Sequence, residues 1–291
     1  MKKWMQRILV FFIGVPLIIT VILLLPHYHH LVFNAIVILF SAFGAAEFSV
    51  MLSQKNLRIT RAEALVFGAL APLVMYLIIS LDFSVLLFPA VIAASISWLL
   101  LWGILSKGDA LDSFINRFAA GLAVFLYPGM LMVWVVRMSR WESMAGIAIL
   151  IFVSAVFISD AAAWTVGMLF GRGNQGVIPA SPNKSVAGFL GGTAAPVLVG
   201  VCAVLLCPEL FVPKWNLFSG AAPVPGAILG FLTGAAAVLG DLGESAIKRS
   251  SGLKDSGNII PGRGGVLDSI DSLALAAPVF YIAYSLLFVR P

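Results

Sequence analysis

Apolar blocks of about 20 residues make up most of the chain, and short polar or turn-rich segments separate them. A helix of this length crosses a hydrocarbon core of roughly 30 Å. Soluble helices would instead keep their apolar residues on one face, with a period of about 3.6 residues. The pattern therefore predicts about nine membrane-spanning helices, at approximately residues 7–25, 31–52, 62–80, 85–105, 115–136, 145–169, 186–207, 225–247 and 270–289.

The composition also indicates a membrane protein. Of the 291 residues, 61% are hydrophobic and 11% are charged, and the mean hydropathy is +1.05. Soluble proteins carry about 25% charged residues, and a soluble chain of this length could not hide so much apolar surface in one core. We therefore predict an all-α integral membrane protein. The first block has the position of a signal peptide, but no clear cleavage site follows it, so we interpret it as a retained helix.

The placement of lysine and arginine predicts the orientation, because cytoplasmic loops carry an excess of both. With a cytoplasmic N-terminus, nine spans leave 14 of the 18 lysine and arginine residues on the inside. The two long polar loops, residues 170–185 and 248–268, then face the cytoplasm, where nucleotides are found. We expect N-terminal membrane helices over residues 1–140 and catalytic helices with these loops over residues 141–291, in the cell inner (plasma) membrane.

The net charge of +5 does not indicate a nucleic acid partner, because the basic residues lie in loops between apolar blocks. This placement favours anionic membrane lipid and anionic substrates instead. Cys202 and Cys207 lie in one apolar block and indicate neither a disulfide framework nor a metal site. The sequence leaves the number of subunits open, and a homodimer is one of the assemblies that it allows.

Acidic residues inside apolar blocks are the unusual feature, because a carboxylate at mid-bilayer costs about 2.5–3.5 kcal/mol on insertion scales. Asp241 and Glu244 share a helix face by their spacing, and Asp268 and Asp271 repeat that spacing where the last block begins. Converging carboxylates repel each other, and a divalent ion with oxygen ligands removes the repulsion; Mg²⁺ is the usual ion where phosphates bind. The alternative is hydrogen bonding between helices, together with N-terminal capping by Asp268.

Two further acids lie in earlier blocks. Small residues surround Asp160 and let neighbouring helices approach closely, so Asp160 is either a substrate contact or a buried acid bonded to a neighbouring helix. We interpret Glu47 as a structural residue. The histidines at positions 27, 29 and 30 lie away from these acids along the chain and predict an interfacial turn in place of a metal site.

Basic residues stand among glycines and serines in both long loops. Cations neutralise phosphate oxygens, and glycine lets backbone N–H groups approach them, although positive-inside charge alone would explain Lys248 and Arg249. The candidate phosphate-binding residues are Lys248, Arg249, Lys254 and Arg263 in the second loop, with Arg172, Ser181 and Lys184 in the first. Residues 171–176 match G-x-G-x-x-G, but a membrane block precedes them where a dinucleotide fold needs a strand, which argues against that fold.

The second long loop and its flanks carry a run of chemically distinctive residues at fixed spacing. They are Ser245, Lys248, Arg249, Lys254, Asp255, Gly257, Pro261, Gly264, Gly265, Asp268 and Asp271. Shorter elements precede them: Ser159-Asp160-Ala161, Phe170-Gly171-Arg172, Ser181-Pro182-x-Lys184-Ser185 and Gly240-Asp241-Leu242-Gly243-Glu244. From about residue 155 to 275 the chain thereby resembles the phosphatidate cytidylyltransferases, also called CDP-diacylglycerol synthases.

Three positions depart from the family pattern. Arg263 stands where the family usually has His, Ser269 replaces an Arg between two aspartates, and Ala187 replaces a common Glu. Arginine stays protonated and cannot act as a general base. A phosphate monoester, with a second pKa near 6, is already largely ionised at neutral pH. Its attack needs no base, so Arg263 is compatible with the family reaction.

The resemblance implies transfer of CMP from CTP to phosphatidate, with release of pyrophosphate. It implies that Asp241, Asp268, Asp271 and Lys248 are catalytic, and that the three aspartates hold Mg²⁺ with Glu244 in or near the same shell. It also implies a second, monovalent cation such as K⁺. The basic loop residues would bind phosphate, and Asp160 would line the cavity between spans. Two alternatives stay open: a CTP-dependent polyprenol or lipid kinase, and an ion-coupled transporter.

Overall fold

The computed structural model describes residues 3–141, 144–215, 223–262 and 264–289, with side chains described from residue 12 onward. These residues form helices and connecting turns, and no β-strand occurs among them. The helices are α1 (Lys3–Leu24), α2 (His27–Ser53), α3 (Arg61–Ser80), α4 (Leu87–Leu105), α5 (Asp109–Asp112), α6 (Phe114–Val124), α7 (Leu131–Met138), α8 (Ala145–Phe170), α9 (Val186–Leu206), α10 (Pro223–Ser250) and α11 (Leu267–Leu287). A π-helical segment (Phe125–Met130) joins α6 to α7.

Eight helical stretches of the described chain are long and apolar enough to cross a membrane. One of them runs from Phe114 to Met138 through α6, the π-helical segment and α7. The prediction of an all-α multi-pass membrane protein is thus confirmed. The count is eight against a prediction of about nine, because the described apolar part of α1 covers Phe12–Leu24, which is shorter than a full span.

Large apolar side chains cover the outside of several helices. On α4, Trp98 is 53% exposed, Ile104 is 77% exposed and Leu105 is 71% exposed. A soluble helix would bury such a surface in a core, whereas a membrane helix presents it to lipid tails of the same polarity. Side-chain exposure therefore agrees with the hydropathy pattern.

The chain forms two compact units. The first comprises Met1–Arg140 and Ile247–Ile270, and the second comprises Trp141–Ala246 and Asp271–Pro291. Helices α10 and α11 each contribute residues to both units. As a result, the second long loop belongs to the same unit as the N-terminal helices.

In the first unit, α2 and α3 pack through small residues. A Cβ atom on Gly68 would meet the Ala42 Cα at 3.0 Å, so only glycine lets the two backbones come this close. The Ser41 hydroxyl oxygen lies 2.6 Å from the Gly68 carbonyl and 2.7 Å from the Pro128 carbonyl, and its single proton is donated to one of them at a time. Proline lacks an N–H and disturbs the helical ladder around it, and the serine hydroxyl offers the Pro128 carbonyl a donor from α2.

In the second unit, α9 and α10 also approach closely at a glycine. A Cβ atom on Gly230 would lie 2.7 Å from the Pro196 carbonyl carbon and 2.8 Å from the Val197 Cα. Close backbone approach at small residues replaces the hydrophobic driving force, which is absent between helices in lipid. Helix α10 carries Asp241 and Glu244, so these two acids belong to the second unit.

The histidine segment forms the turn predicted from the sequence. Tyr28, His29 and His30 have φ values of 52°, 53° and 58°, in the left-handed region that non-glycine residues seldom occupy. The Tyr76 hydroxyl donates to the Tyr28 carbonyl at 2.9 Å, and the Asn34 amide donates to the His29 carbonyl at 2.7 Å. These bonds hold the turn in a conformation that the backbone alone disfavours.

Candidate active site

Four carboxylates of the second unit share one electrostatic environment. Asp160 lies on α8, Asp241 and Glu244 lie on α10, and Asp271 lies on α11. Glu244 is fully buried and Asp271 is 7% exposed. The Asp271 carboxylate interacts with the charges of Asp241, Glu244 and Asp160. The structure therefore groups acids from three helices, and the first and last of these acids lie more than 100 positions apart in the sequence.

A glycine allows this approach. A Cβ atom on Gly240 would lie 3.1 Å from the Ser272 Cα and 2.5 Å from the Asp271 carbonyl oxygen. The backbone of α10 therefore reaches the backbone of α11 one residue before Asp241. The missing side chain at position 240 is what lets the neighbouring acids of the two helices share one environment.

Three of these acids have polar partners. The Lys184 ammonium forms an ion pair with the Asp241 carboxylate. The Ser272 hydroxyl donates to the Asp160 carboxylate at 3.2 Å, and the Ser272 N–H donates to the Asp271 carboxylate at 2.6 Å. Lys184, predicted from the first long loop, thus lies beside a predicted acid. Ser272 was not predicted, because a serine next to a signature aspartate has no distinctive spacing.

The residues of this cluster suit a divalent ion in chemistry. All their ligand atoms are carboxylate oxygens, which Mg²⁺ prefers, and the mutual repulsion around the buried Asp271 is of the kind that a cation relieves. Among the described residues, however, no three His, Cys, Asp or Glu side chains are gathered closely enough to hold one ion. The metal assignment of Asp241, Glu244, Asp268 and Asp271 therefore stays a prediction.

Asp268 and Lys248 meet in the first unit. The Lys248 ammonium donates to Asp268 Oδ1 at 2.5 Å. Asp268 Oδ2 accepts from the Ser256 N–H at 2.9 Å, from the Ser256 hydroxyl at 2.8 Å and from the Gly265 N–H at 2.8 Å. Gly265 lies just before α11, so its bond to Asp268 ties the end of the loop to the first turn of that helix. Asp268 therefore fastens the second long loop.

Glu47 of α2 lies in the same network. Its carboxylate accepts from the Val266 N–H at 3.0 Å, from the Leu267 N–H at 2.8 Å and from the Ser256 hydroxyl at 3.0 Å. The structural interpretation of Glu47 agrees with these contacts. Its partners lie 209 to 220 positions away, so no sequence spacing indicates them.

The remaining predicted phosphate-binding residues lie at the surface. Arg172, Arg249 and Lys254 are exposed, and Ser181 is partly exposed. Arg249 donates to the Leu253 carbonyl at 3.4 Å. Exposed cations and hydroxyls are available to an anionic substrate. Arg263, the residue that departs from the family pattern, lies outside the described residues.

The first long loop is held by its own turns. The Lys184 N–H donates to the Ser181 carbonyl at 3.0 Å. The Ser185 hydroxyl caps α9 by accepting from the Gly188 N–H at 3.1 Å. Helix α8 leads directly into the glycine segment at 171–176. A dinucleotide fold would instead have a strand before this segment. The rejection of that fold is confirmed.

Comparison with known proteins identifies one family across the chain. The sequence model of the Cytidylyltransferase family matches residues 5–287. A protein of Synechocystis named phosphatidate cytidylyltransferase is 40% identical over 128 residues, which are 44% of this chain and 40% of that protein.

Two further relatives carry the same name. The protein of Mycobacterium leprae is 37% identical over 134 residues, 46% of this chain and 39% of the relative. The protein of Haemophilus influenzae is 38% identical over 141 residues, 48% of this chain and 46% of the relative. The chain thus covers less than half of the length of each of these three relatives.

Proposed function

The chain belongs to the cytidylyltransferase family, and we propose that it transfers CMP from CTP to phosphatidate, which yields CDP-diacylglycerol and pyrophosphate. The family match over residues 5–287 carries the proposal. The names of the relatives from Synechocystis and Haemophilus influenzae support phosphatidate as the acceptor. The acids and cations of the candidate site have the chemistry that a reaction between two phosphates requires.

The reaction is a displacement at phosphorus. An ionised oxygen of the lipid phosphate forms a bond to the α-phosphorus of CTP, while the bond from that phosphorus to the bridging oxygen of the β-phosphate breaks. Pyrophosphate leaves with the electron pair. Because the nucleophile is ionised near neutral pH, the protein contributes mainly orientation and neutralisation of negative charge.

We assign the acids to metal binding. Asp241 and Asp271 would hold Mg²⁺, with Glu244 in or near the same shell and with Asp268, one turn before Asp271 on α11. When bound, Mg²⁺ would neutralise the CTP phosphates and stabilise the leaving pyrophosphate. Asp160 would orient the site from α8. A monovalent cation such as K⁺ would bind in addition to Mg²⁺, as the family resemblance implies.

The cations receive the phosphates. Lys184 and Lys248 each pair with an aspartate, and both would turn to phosphate oxygens when a substrate brings stronger negative charge. The exposed Arg172, Arg249 and Lys254 would bind the outer phosphates together with Arg263 and Ser181. Charge-assisted bonds of this kind are about twice as strong as neutral ones.

We place the protein in the plasma membrane with the site facing the cytoplasm. The lysine and arginine bias supports this orientation, and CTP is a cytoplasmic substrate. The acyl chains of phosphatidate would stay in the bilayer, since they gain nothing by leaving it. The lipid would therefore enter laterally.

One assay separates the proposal from its alternatives. Purified protein receives Mg²⁺, phosphatidate and CTP labelled at the α-phosphate, and the products are separated. Labelled CDP-diacylglycerol with an equal amount of pyrophosphate is expected. A lipid kinase would release CDP instead, and a transporter would leave CTP intact. Diacylglycerol, which lacks the nucleophilic phosphate, serves as the control acceptor and should give no product.

A further inference from the structure

Glu47 connects the N-terminal helices to the loop that carries the signature residues. It is 7% exposed and lies on α2, far from the motif in sequence. Both of its carboxylate oxygens accept hydrogen bonds: Oε1 from Val266, and Oε2 from Leu267 and Ser256. Two of the donors are N–H groups at the start of α11, which have no partner inside the helix. A negative charge there is also favoured by the helix dipole.

Two glycines of the loop leave room for this carboxylate. A Cβ atom on Gly257 would lie 2.8 Å from the Glu47 Cδ, and a Cβ atom on Gly265 would lie 2.7 Å from the same carbon. Both glycines belong to the spaced run of signature residues. The loop therefore folds closely around the Glu47 side chain, and any larger residue at either position would displace it.

Ser256 links Glu47 to Asp268, because its hydroxyl lies against both carboxylates. Its hydroxyl oxygen lies 3.0 Å from Glu47 Oε2 and 2.8 Å from Asp268 Oδ2, and it accepts from the Asp268 N–H at 3.2 Å. A hydroxyl has one proton, so it donates to one carboxylate at a time while it holds both near it. Asp268 in turn holds the Lys248 ammonium at 2.5 Å.

We propose that Glu47 is a positioning residue for the transfer reaction. By binding the start of α11 and Ser256, it sets the places of Asp268 and Lys248, which act on the phosphates. This inference rests on the function proposed above. Under this proposal, helix α2 positions residues that act on the substrate, in addition to anchoring the chain in the bilayer.

The first test measures the order of the loop directly. Glu47→Gln keeps the shape but places an amide NH₂ where one oxygen now accepts, and it removes the charge. Amide hydrogen exchange at Ser256, Gly265, Val266, Leu267 and Asp268 should become at least about tenfold faster. The matched control is Glu63→Gln, which removes a second partly buried carboxylate of the same unit and should leave exchange at these amides unchanged.

The second test separates positioning from folding. Per molecule of folded protein, counted by size-exclusion chromatography, kcat of Glu47→Gln should fall about 10- to 100-fold, as expected for partners of reacting groups. The KM for CTP should change less than kcat does, since Lys248 is one of several cations proposed to bind the phosphates. Glu63→Gln should keep the wild-type kcat. A purely structural role would lower the folded yield of Glu47→Gln and leave its kcat intact.

Ser256→Ala gives an independent variant if Glu47→Gln does not fold. It removes the bridging hydroxyl and keeps both backbone donors to Glu47, so exchange at Gly265 and Asp268 should accelerate and kcat should fall. Wild-type exchange or wild-type kcat in either variant would overturn the proposal. If the wild-type protein itself makes no CDP-diacylglycerol, the proposed function fails, and the exchange measurement still decides whether Glu47 orders the loop.

Discussion

Asp271 is a buried acid of the candidate site, and three other carboxylates act on its charge. Functional groups of this kind are held in place although they oppose the stability of the folded chain. Its nearest backbone donor is the N–H of Ser272. At the scale of single residues, activity and stability should therefore respond to its loss in opposite directions.

Asp271→Asn should lower kcat by about 100-fold or more, because it removes a proposed ligand of the Mg²⁺ that would stabilise the charge of the transition state. The same change removes like-charge repulsion with Asp241, Glu244 and Asp160, so the Tm in detergent should stay equal or rise. Asp82→Asn, at an exposed acid of the α3–α4 loop, is the control and should change neither quantity. Wild-type turnover in Asp271→Asn would refute the metal assignment.

Lys184→Ala should raise the KM for CTP about 10- to 100-fold, since one charge-assisted bond to phosphate is worth about 1.5–3 kcal/mol. Lys184 pairs with Asp241, so the variant leaves that acid without its lysine. Steady-state kinetics at saturating phosphatidate measure the change. Lys214→Ala removes another lysine of the second unit and should keep the wild-type KM; equal KM values for both variants would contradict the role of Lys184.

At the scale of elements, small residues decide which helices meet. The pairs α2–α3, α8–α9 and α9–α10 approach at glycines whose added Cβ atoms would strike backbone atoms of the partner helix. Backbone cannot give way as a flexible side chain can, so these contacts tolerate no extra methylene. The position of Asp241 depends on the same principle, through Gly240.

Gly230→Ala should destabilise the protein by about 1–3 kcal/mol, the usual cost of overpacking. Its Cβ atom would lie 2.7 Å from the Pro196 carbonyl carbon on α9. The control on the same helix is Gly243→Ala, which meets nothing within 4 Å and should be neutral or stabilising, because alanine favours helix by about 1 kcal/mol. Thermal unfolding in detergent compares the two; a Gly230→Ala variant as stable as Gly243→Ala would contradict the packing argument.

At the scale of the whole molecule, two units divide the chain, and each draws on distant parts of the sequence. Residues 247–270 belong to the unit formed by the N-terminal helices, and residues 271–291 belong to the unit that begins at Trp141. The signature motif is therefore split within α11, between Asp268 and Asp271. This division gives the N-terminal helices contacts to half of the motif, among them those of Glu47.

Orientation in the membrane is testable on the intact molecule. In a chain whose Cys202 and Cys207 are replaced by alanine, Lys254→Cys should react with a membrane-impermeant maleimide only after the cells are permeabilised. Lys214→Cys, in a segment predicted outside, should react in intact cells. Both positions are exposed, so access to the reagent depends on the side of the membrane. The opposite labelling pattern would invert the proposed topology.

The sequence by itself determined the helices, the membrane class and most candidate residues. In hydrocarbon only a helix or a closed barrel satisfies the backbone, so an apolar block of sufficient length already implies its structure. The spacing of Asp241 and Glu244 likewise placed both on one face of α10, where the structure has them acting on Asp271.

Only the tertiary structure decided which distant residues meet. It placed Lys184 on Asp241, Lys248 on Asp268, and Glu47 on the start of α11. Such contacts depend on where glycines allow backbones to approach and on which donors the helix ends leave unpaired. Local spacing encodes the face on which a side chain lies, but the partner on that face is set by the packing of residues far away along the chain.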